Sequence, residues 1–415
     1  MLDERNKQKF LLHQRSAVGA DEEEMLKLEN YIYSSQLDKD VKRIIKKNYF
    51  FEPPRRYMLR KNGSNRRRKI YVFEEKNKFF LQFLNYLLQK KTDHRFSDSL
   101  YSFRKLYSLD SLFNKIKKFD PNREKYIVKL DIHSYGDTIN TSVLDKLLRT
   151  WFLDEPEVHD FIMWLVTRNL YYTASGLERD FTSIMSGSPL TSYLENIYLM
   201  QSDEYMDKNA AIWARFADDI FAIVDPNNID SSKKLLSDVR NIIEKDLKLP
   251  LNEEKTRIVP PGEPLDFLGL KFGNGYTDLA SNSFRKVFNK FTHRANRINR
   301  QVHKGFYSSD IAMKKMADYI DKYFYGFSEE DPIKWVYRFF PYITRACSLN
   351  KLDKLSQECI RFVGTGRRTN AKYRIKYGDI KKLKYTPLVR SYFNRFKPGG
   401  MLYQTDKFKE KRNLF

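Results

Sequence analysis

The segment 214–224 is the sequence feature that most restricts the fold and chemistry of this chain. Its apolar residues predict two short strands, 214–216 and 220–224, and the bend between them carries two adjacent carboxylates, Asp218 and Asp219. A tight hairpin usually has Asn-Gly or Asp-Gly at its turn, and neighbouring carboxylates repel each other unless a cation lies beside them. The pair therefore indicates a divalent-metal site on a rigid hairpin, with an exposed acidic turn as the simpler alternative.

A third carboxylate, Asp131, ends the mostly apolar strand predicted over 126–132. Burial of an unpaired carboxylate costs free energy, so Asp131 requires a cation. A strand-borne acid of this kind is what the hairpin pair would need to complete a cage for two metal ions.

The net charge of the chain points to a polyanionic partner. The 415 residues include 76 Lys and Arg against 53 Asp and Glu, a net charge of +23. Such an excess repels itself unless a polyanion neutralises it, which makes nucleic acid the leading partner. An anionic membrane is the alternative, but no uninterrupted apolar run approaches the ~18 residues of a membrane span. With 41% hydrophobic residues, the chain is expected to be globular, with two or three lobes.

Cysteine and histidine usage argues against zinc. Cys347 and Cys359 are too few for a disulfide framework or a four-thiolate site, and the six histidines are scattered. Residues 1–7 are not followed by the apolar segment of a signal peptide. We therefore expect a reducing, cytoplasmic setting.

Two further loops are predicted to approach a phosphate group. Strand-like segments 57–59 and 70–73 flank a loop with six cations and an Asn-Gly turn, which suits a clamp for a triphosphate or a strand backbone. Gly187, in the small-residue loop 183–190 before a helix over 191–200, allows close backbone approach to a ligand. The alternatives are a solvated basic loop and an ordinary helix cap.

The rest of the chain is predicted to be largely helical. Helices are expected over 1–50, 79–88, 144–171, 231–247, from 281 onward, and over 310–325, 333–347 and 351–363. An extended segment is expected over 99–104 and a strand pair over 265–272. In the helix from residue 281, the spacing places cations on one face and apolar residues on another. The cations are Lys286, Lys290, Arg294 and Arg297, and the apolar residues are Phe284, Phe288, Phe291, Ala295 and Ile298. This cationic stripe suits a phosphate backbone, and the basic segment 364–384 with Tyr373, Tyr377 and Tyr385 suits a single strand.

In this order, the segments between residues 55 and 272 resemble the reverse transcriptases. The matching motifs are Phe216-Ala217-Asp218-Asp219 for the Tyr-x-Asp-Asp box, the strand ending at Asp131, Ser186-Gly187-Ser188-Pro189 with Leu194, Asn196 and Leu199, Lys255-Thr256, Phe267-Leu268-Gly269 of the primer grip, Ser102-Phe103-Arg104, and Lys61 with Arg68 seven residues apart.

The resemblance implies an α+β right-hand polymerase with an antiparallel-sheet palm, fingers and a basic helical thumb. The implied divisions are an N-terminal helical extension 1–54, fingers 55–125, a palm 126–280 with a finger-helix insertion at about 144–180, a thumb 281–365 and a basic C-terminal segment 366–415.

It also implies the roles of individual residues. Asp131, Asp218 and Asp219, with Ile132 in the metal-binding set, would hold two Mg²⁺ ions, or Mn²⁺. Lys255 would donate a proton to the leaving pyrophosphate, unless it is only a surface lysine. The nucleotide-binding set is Lys61, Arg68, Tyr135, Gly136 and Gly187, and the nucleic-acid-binding set is Arg104, Phe267, Gly269, Lys286, Lys290, Arg294 and Arg297.

Two positions depart from the family pattern. Gly136 stands where the family usually has Phe or Tyr to exclude the 2′-hydroxyl of a ribonucleotide, so either sugar discrimination is relaxed or Tyr135 takes over the gate. Ser186 replaces the Gln that positions the template base region.

The family resemblance favours a bacterial enzyme of the retron, group II intron-like or phage-defence (abortive-infection) kind. Because no appended nuclease module is evident, a mobile intron enzyme is less favoured than the defence-associated type. We expect an RNA-directed DNA polymerase that copies a cognate non-coding RNA in anti-phage defence, with RNA template, DNA product and dNTPs as partners and no membrane. The alternatives are an RNA-dependent RNA polymerase, a template-independent or protein-primed polymerase, and a non-catalytic protein that binds structured RNA. The oligomeric state is not predicted.

Overall fold

The computed structural model describes residues 3–16, 21–49, 51–60, 67–104, 107–118, 125–179, 183–326, 335–395 and 397. The α-helices within these ranges are α1 Glu4–Ser16, α2 Glu22–Tyr33, α3 Ser35–Ile45, α4 Glu75–Thr92, α5 Leu109–Lys118, α6 Tyr135–Thr138, α7 Thr141–Trp151, α8 Pro156–Thr167, α9 Thr191–Tyr198, α10 Met200–Asn209, α11 Ile229–Asn241, α12 Ser281–His303, α13 Ser309–Tyr325, α14 Trp335–Phe339, α15 Cys347–Thr365, α16 Ala371–Arg374, α17 Tyr377–Lys382 and α18 Leu388–Phe393. The strands are β1 Arg55–Arg60, β2 Arg67–Val72, β3 Ile127–Asp131, β4 Leu170–Thr173, β5 Gly176–Arg179, β6 Ile212–Phe216, β7 Asp219–Ile223, β8 Arg257–Val259, β9 Leu265–Phe267, β10 Leu270–Gly273 and β11 Tyr276–Leu279.

Helices α1 and α2 pack against α4, and α3 packs against α8. The rings of Phe10 and Phe83 lie 5.1 Å apart, and Tyr31 contacts Phe79. Asp21 caps α2 by accepting a hydrogen bond from the Glu23 backbone N–H, and acidic residues in the first turn complement the positive end of the helix. The predicted helical character of this part of the chain is confirmed.

A four-stranded sheet in the order β2-β1-β4-β5 carries the basic hairpin. The antiparallel register of β1 and β2 runs from Arg55 opposite Val72 to Arg60 opposite Arg67, which confirms the predicted hairpin. The helical character predicted over 144–171 is confirmed as far as Thr167, in two helices: α7 ends at Trp151 and α8 begins at Pro156. The end of the range is not helical, because the aromatic residues after 169 form strand β4, which pairs with β5 across the turn at Gly176.

The second sheet, β6-β7-β3-β8, is antiparallel throughout and forms the palm. Its central strands are apolar and buried on both faces, with helices α9, α10 and α11 nearby. The segment predicted to be extended over 99–104 forms a short parallel bridge at Leu100 beside Arg215 of β6. This sheet brings the acids of β3 and β7 to one end.

The third sheet, β11-β10-β9, leads into the helices of the thumb. The predicted helix over 333–347 is wrong, because α14 ends at Phe339, and Pro341, which cannot continue an α-helix, follows soon after. Helix α15 then begins at Cys347 and includes the helix predicted over 351–363. Within the described ranges, no helix combines the length and apolar character needed to cross a bilayer.

Candidate active site

The acids predicted from the sequence meet at the ends of β3 and β7. Asp131 lies directly opposite Asp219 in the antiparallel register. The hairpin pairs Phe216 with Asp219, so the bend consists of Ala217 and Asp218, with Ala217 in the left-handed region at φ 55°. Asp219 is therefore the first residue of β7. The prediction that placed Asp219 in the bend is wrong. A two-residue hairpin requires this positive φ, which twists the turn to match its strands.

Lys255 forms an ion pair with Asp131. Its Nζ lies 2.8 Å and 3.0 Å from the two carboxylate oxygens. Partial burial lowers the pKa of Lys255, but the hydrogen bonds and charge of Asp131, with those of Asp219 and Asp218, outweigh it and raise the pKa. The ammonium is therefore charged at neutral pH and neutralises the buried carboxylate.

The loop 252–256, which precedes β8, holds the backbone of Asp131 in place. The Asn252 N–H donates to the Asp131 carbonyl at 2.8 Å, and the Asp131 N–H donates to Thr256 Oγ1 at 3.2 Å. Lys255 lies between these two residues of the loop, so the same contacts that fix the strand end also place the ammonium.

Negative charge at the strand ends is only partly balanced. Burial raises the pKa of Asp219 to about 6, with repulsion from Asp218 and Asp131 adding and Lys129 and Lys255 opposing. Carboxylate oxygens are the donors that Mg²⁺ or Mn²⁺ prefer, so the residues fit such an ion. Among the described residues no group of three or more His, Cys, Asp and Glu is already arranged as a metal site. The side chain of Ile132 is apolar and buried, so only its backbone carbonyl is suited to bind a metal.

Gly187 connects the palm to the basic hairpin. The Tyr71 N–H donates to the Ser186 carbonyl at 2.9 Å, and a Cβ on Gly187, which has φ +103°, would lie 2.8 Å from the Tyr71 carbonyl oxygen. The glycine therefore permits close approach to β2, and its approach to a ligand stays a prediction. Arg68 is exposed on β2, and Lys61 lies outside the described residues.

Tyr135 does not replace the missing gate at Gly136. It is buried, and its hydroxyl donates to the backbone carbonyl of Glu195 on α9. Because the ring packs in the core and its only polar atom is engaged, it cannot contact a nucleotide sugar. This alternative for the gate is wrong.

A buried network that the sequence analysis missed supports the catalytic turn. Arg215 is fully buried on β6, and its guanidinium pairs with Asp203 on α10 and donates to the carbonyls of Asn196 and Ala217. The Ala217 N–H in turn donates to Ser102 Oγ at 2.9 Å. The signal in the sequence was an arginine inside an apolar strand, because a buried charge needs a partner.

Arg104 is a structural residue. It is buried, its Nε lies 2.8 Å from Asp93 Oδ1, and its remaining nitrogens donate to Asp93 and to the carbonyls of Ser97 and Leu100. The guanidinium also stacks 3.9 Å from the ring centroid of Tyr107. With its donors occupied inside the protein, Arg104 is not available to nucleic acid, which corrects the prediction.

The predicted primer-grip turn is a tight hairpin whose aromatic residue faces inward. Phe267 is 1% exposed, and its ring centroid lies 5.2 Å from that of Phe221. The prediction that Phe267 contacts nucleic acid is therefore wrong. Leu268 and Gly269 form the turn with φ 49° and 82°. A Cβ on Gly269 would lie 2.8 Å from Ser283 Oγ, so the turn packs against the start of α12.

The cationic stripe of α12 divides into exposed and packed residues. Lys286 and Arg297 are exposed, whereas Lys290 and Arg294 each lie 4.9 Å from a tyrosine ring of α13. Although Lys286 is exposed, the protein around it and repulsion from Arg338 and Lys255 lower its pKa. The prediction that Phe288 belongs to the apolar face of α12 is wrong, because Phe288 is 44% exposed whereas its neighbour Val287 is buried.

Acidic residues on adjacent antiparallel strands, with a lysine beside them and a basic hairpin docked on the same palm, define the class of nucleotidyl-transferring polymerases. The family model described as reverse transcriptase (RNA-dependent DNA polymerase) matches residues 59–272. The chain belongs to the reverse transcriptase family and is in its enzyme class an RNA-directed DNA polymerase. The suspected resemblance to the reverse transcriptases is confirmed, and the described residues have the predicted α+β mixture of helices and mostly antiparallel sheets.

Solved structures with similarity to the chain include yeast telomerases. Apo telomerase from Candida tropicalis has 13% identity and a TM-score of 0.45, with 92% of this chain and 74% of that chain covered. Candida albicans telomerase in complex with the TWJ fragment of telomeric RNA has the same identity and TM-score, with 87% and 69% covered. A form of the Candida tropicalis protein truncated from its C-terminal domain has a TM-score of 0.44 at 13% identity. This chain covers 60% of it with 59% of its own length. A search of curated proteins finds no significant match.

Proposed function

We propose that the chain synthesises DNA on an RNA template by a mechanism that uses two divalent metal ions. The observation that carries the proposal is the register that places Asp131 opposite Asp219, with Asp218 in the adjoining turn and Lys255 on Asp131. When bound by the three aspartates, the ions would activate the primer 3′-hydroxyl and neutralise the triphosphate. This role explains why three acids lie close together at one end of the sheet.

The residues of the chain then have distinct tasks in the transfer. The primer 3′-hydroxyl releases its proton to solvent and its oxygen forms a bond to the α-phosphorus of the nucleotide, while the bond from that phosphorus to pyrophosphate breaks. The raised pKa of Lys255 keeps its ammonium protonated, so that it can deliver a proton to the leaving pyrophosphate. Arg68, exposed on β2, provides a positive charge for the phosphates from the fingers.

Primer extension tests the proposal. The purified chain is given an RNA template, an annealed DNA primer and the four dNTPs with Mg²⁺ or with Mn²⁺, and the product is resolved by length. We expect extension by the wild type and by Asp230→Asn, a surface control on α11, and its loss of at least ~10³-fold in Asp131→Asn and Asp219→Asn. Equal extension by Asp131→Asn and the control would refute the assignment.

We further propose that the template is a cognate non-coding RNA, that the enzyme acts in bacterial anti-phage defence and that it works in the cytoplasm. The net charge of +23 supports an RNA partner, the family resemblance supports defence, and two free cysteines support a reducing compartment. Sequencing of nucleic acid that co-purifies with the chain, before and after incubation with dNTPs, tests this. One defined RNA and its complementary DNA are expected. Bound RNA and an unchanged biological effect in Asp218→Asn would instead indicate a non-catalytic RNA-binding protein.

A further inference from the structure

Glu195 on α9 lies against Gly136, the position at which the sequence lacks a gate. A Cβ built on Gly136 would lie 2.9 Å from Glu195 Oε1 and 3.2 Å from Ser186 Oγ. The space that a larger side chain at 136 would enter is therefore already taken by a carboxyl group and a hydroxyl. A larger side chain at 136 would therefore have to displace the Glu195 carboxyl group.

The carboxyl group of Glu195 is also close enough to two charged groups of the predicted nucleotide site to interact with both. Its carboxyl group interacts electrostatically with Asp218 of the catalytic turn and with Arg68 of the fingers. A nucleotide whose phosphates lie near Arg68 and whose α-phosphorus reaches the aspartates must place its sugar between these groups. Glu195, which interacts with a group on each side and contacts Gly136, would then lie beside the sugar.

The backbone of Glu195 accepts a hydrogen bond within the protein, whereas its carboxyl group has none among the described residues. The buried Tyr135 hydroxyl donates to the Glu195 carbonyl, which fixes the residue on α9. Among the described residues, no hydrogen bond or ion pair engages the carboxyl group. Burial raises the pKa of Glu195 to about 7, with Asp218 adding and Arg68 and Arg215 opposing. A mostly buried acid without an internal partner costs folding free energy, which a structural role alone does not explain.

We propose that Glu195 is the sugar-discriminating residue of this polymerase, because its carboxyl group fills the space beneath C2′ of the incoming nucleotide and excludes a 2′-hydroxyl. The inference rests on the proposed polymerase function and replaces the gate that Gly136 lacks. The discrimination is steric, so it requires the volume of the side chain and not its charge.

Single-nucleotide incorporation with each dNTP and its matching rNTP tests the inference in four variants. In Glu195→Ala we expect the efficiency ratio of rNTP to dNTP to rise on the order of 10- to 100-fold, the range for losing one shape-selective contact. Glu195→Gln, which keeps the volume, should keep the ratio within about threefold, and Glu195→Asp, which withdraws the carboxyl group by one methylene, should fall between. In the double variant Gly136→Phe with Glu195→Ala, a ring in the vacated space should restore preference for dNTPs.

The outcomes separate the two proposals. Wild type that extends with dNTPs, together with an unchanged ratio in both Glu195→Ala and Glu195→Asp, would overturn the gate and leave the polymerase intact. A wild type that prefers rNTPs would also overturn it. A wild type that incorporates no nucleotide with either metal would overturn the polymerase function and the gate with it. If Glu195→Ala does not fold, as judged by thermal melting, the Asp and Gln variants decide between these results.

Discussion

The buried ion pair between Arg215 and Asp203 provides a quantitative test of how the catalytic hairpin is held. Arg215 is fully buried and the Asp203 side chain is 4% exposed, so neither charge is screened by solvent. Substitution Arg215→Met retains most of the volume but removes every donor of the guanidinium. Asp203 and the carbonyl of Ala217 then lose their partner inside the palm.

The expected cost follows from these contacts. Removing one partner of a buried ion pair destabilises a protein by about 3–5 kcal/mol, because the remaining charge stays buried. Burial already raises the pKa of Asp203 against the opposing effect of Arg215, so in the variant this carboxyl group should take up a proton and limit the loss to that range. The matched control is Arg240→Met, whose guanidinium pairs with Glu253 at the surface and should cost no more than ~1 kcal/mol.

Urea unfolding followed by tryptophan fluorescence measures both variants, since Trp213 lies on the same strand as Arg215. The double variant Arg215→Met with Asp203→Asn should recover at least ~1 kcal/mol of the sum of the single losses, because no charge remains unpaired. Primer extension by the folded Arg215→Met protein should also be slower, because the turn at Ala217 loses one of its two anchors. Equal destabilisation by Arg215→Met and Arg240→Met would refute the reasoning.

Three further predictions concern the palm and the thumb. Gly187→Ala should lose about 1–3 kcal/mol more stability than Gly176→Ala in thermal melting, because both have positive φ but only Gly187 touches the backbone of β2; equal losses would contradict the docking of the fingers. Lys255→Met should lower the single-turnover rate of primer extension about 10²- to 10⁴-fold, the typical contribution of a general acid, and an unchanged rate would exclude that role. Lys286→Ala and Arg297→Ala should each reduce the slope of log affinity against log salt by about one unit for a primer–template duplex in filter binding.

The sequence was informative wherever the chemistry is carried by adjacent residues. The short apolar runs on either side of Asp218 and Asp219 and the mostly apolar run ending at Asp131 predicted the strands of the active site, because a short apolar run beside a turn signal is typical of a buried strand. The basic hairpin was found for the same reason, since its turn signal and both strands are contiguous. Charges of one sign at helical spacing likewise predicted the stripe on α12.

Predictions based on residue type without its surroundings were less successful. Arg104 and Phe267 belong to motifs that match the family, yet both are buried because Asp93 and Phe221 provide partners in the interior. Helical character was predicted over 144–171 without a break, although one helix ends at Trp151 and another begins at Pro156. Apolar spacing alone does not show where one helix ends and the next begins.

Only the tertiary structure showed that Glu195 faces Gly136 and that Arg215 supports the catalytic turn. These partners lie on different elements, and Glu195 is 59 residues after Gly136 in the sequence. The sequence by itself determined which residue types are present at each strand end and on each helix face. Which of them meet was decided by the packing of α9 and α10 against the palm sheet, because contacts between distant segments leave no periodic pattern in the local sequence.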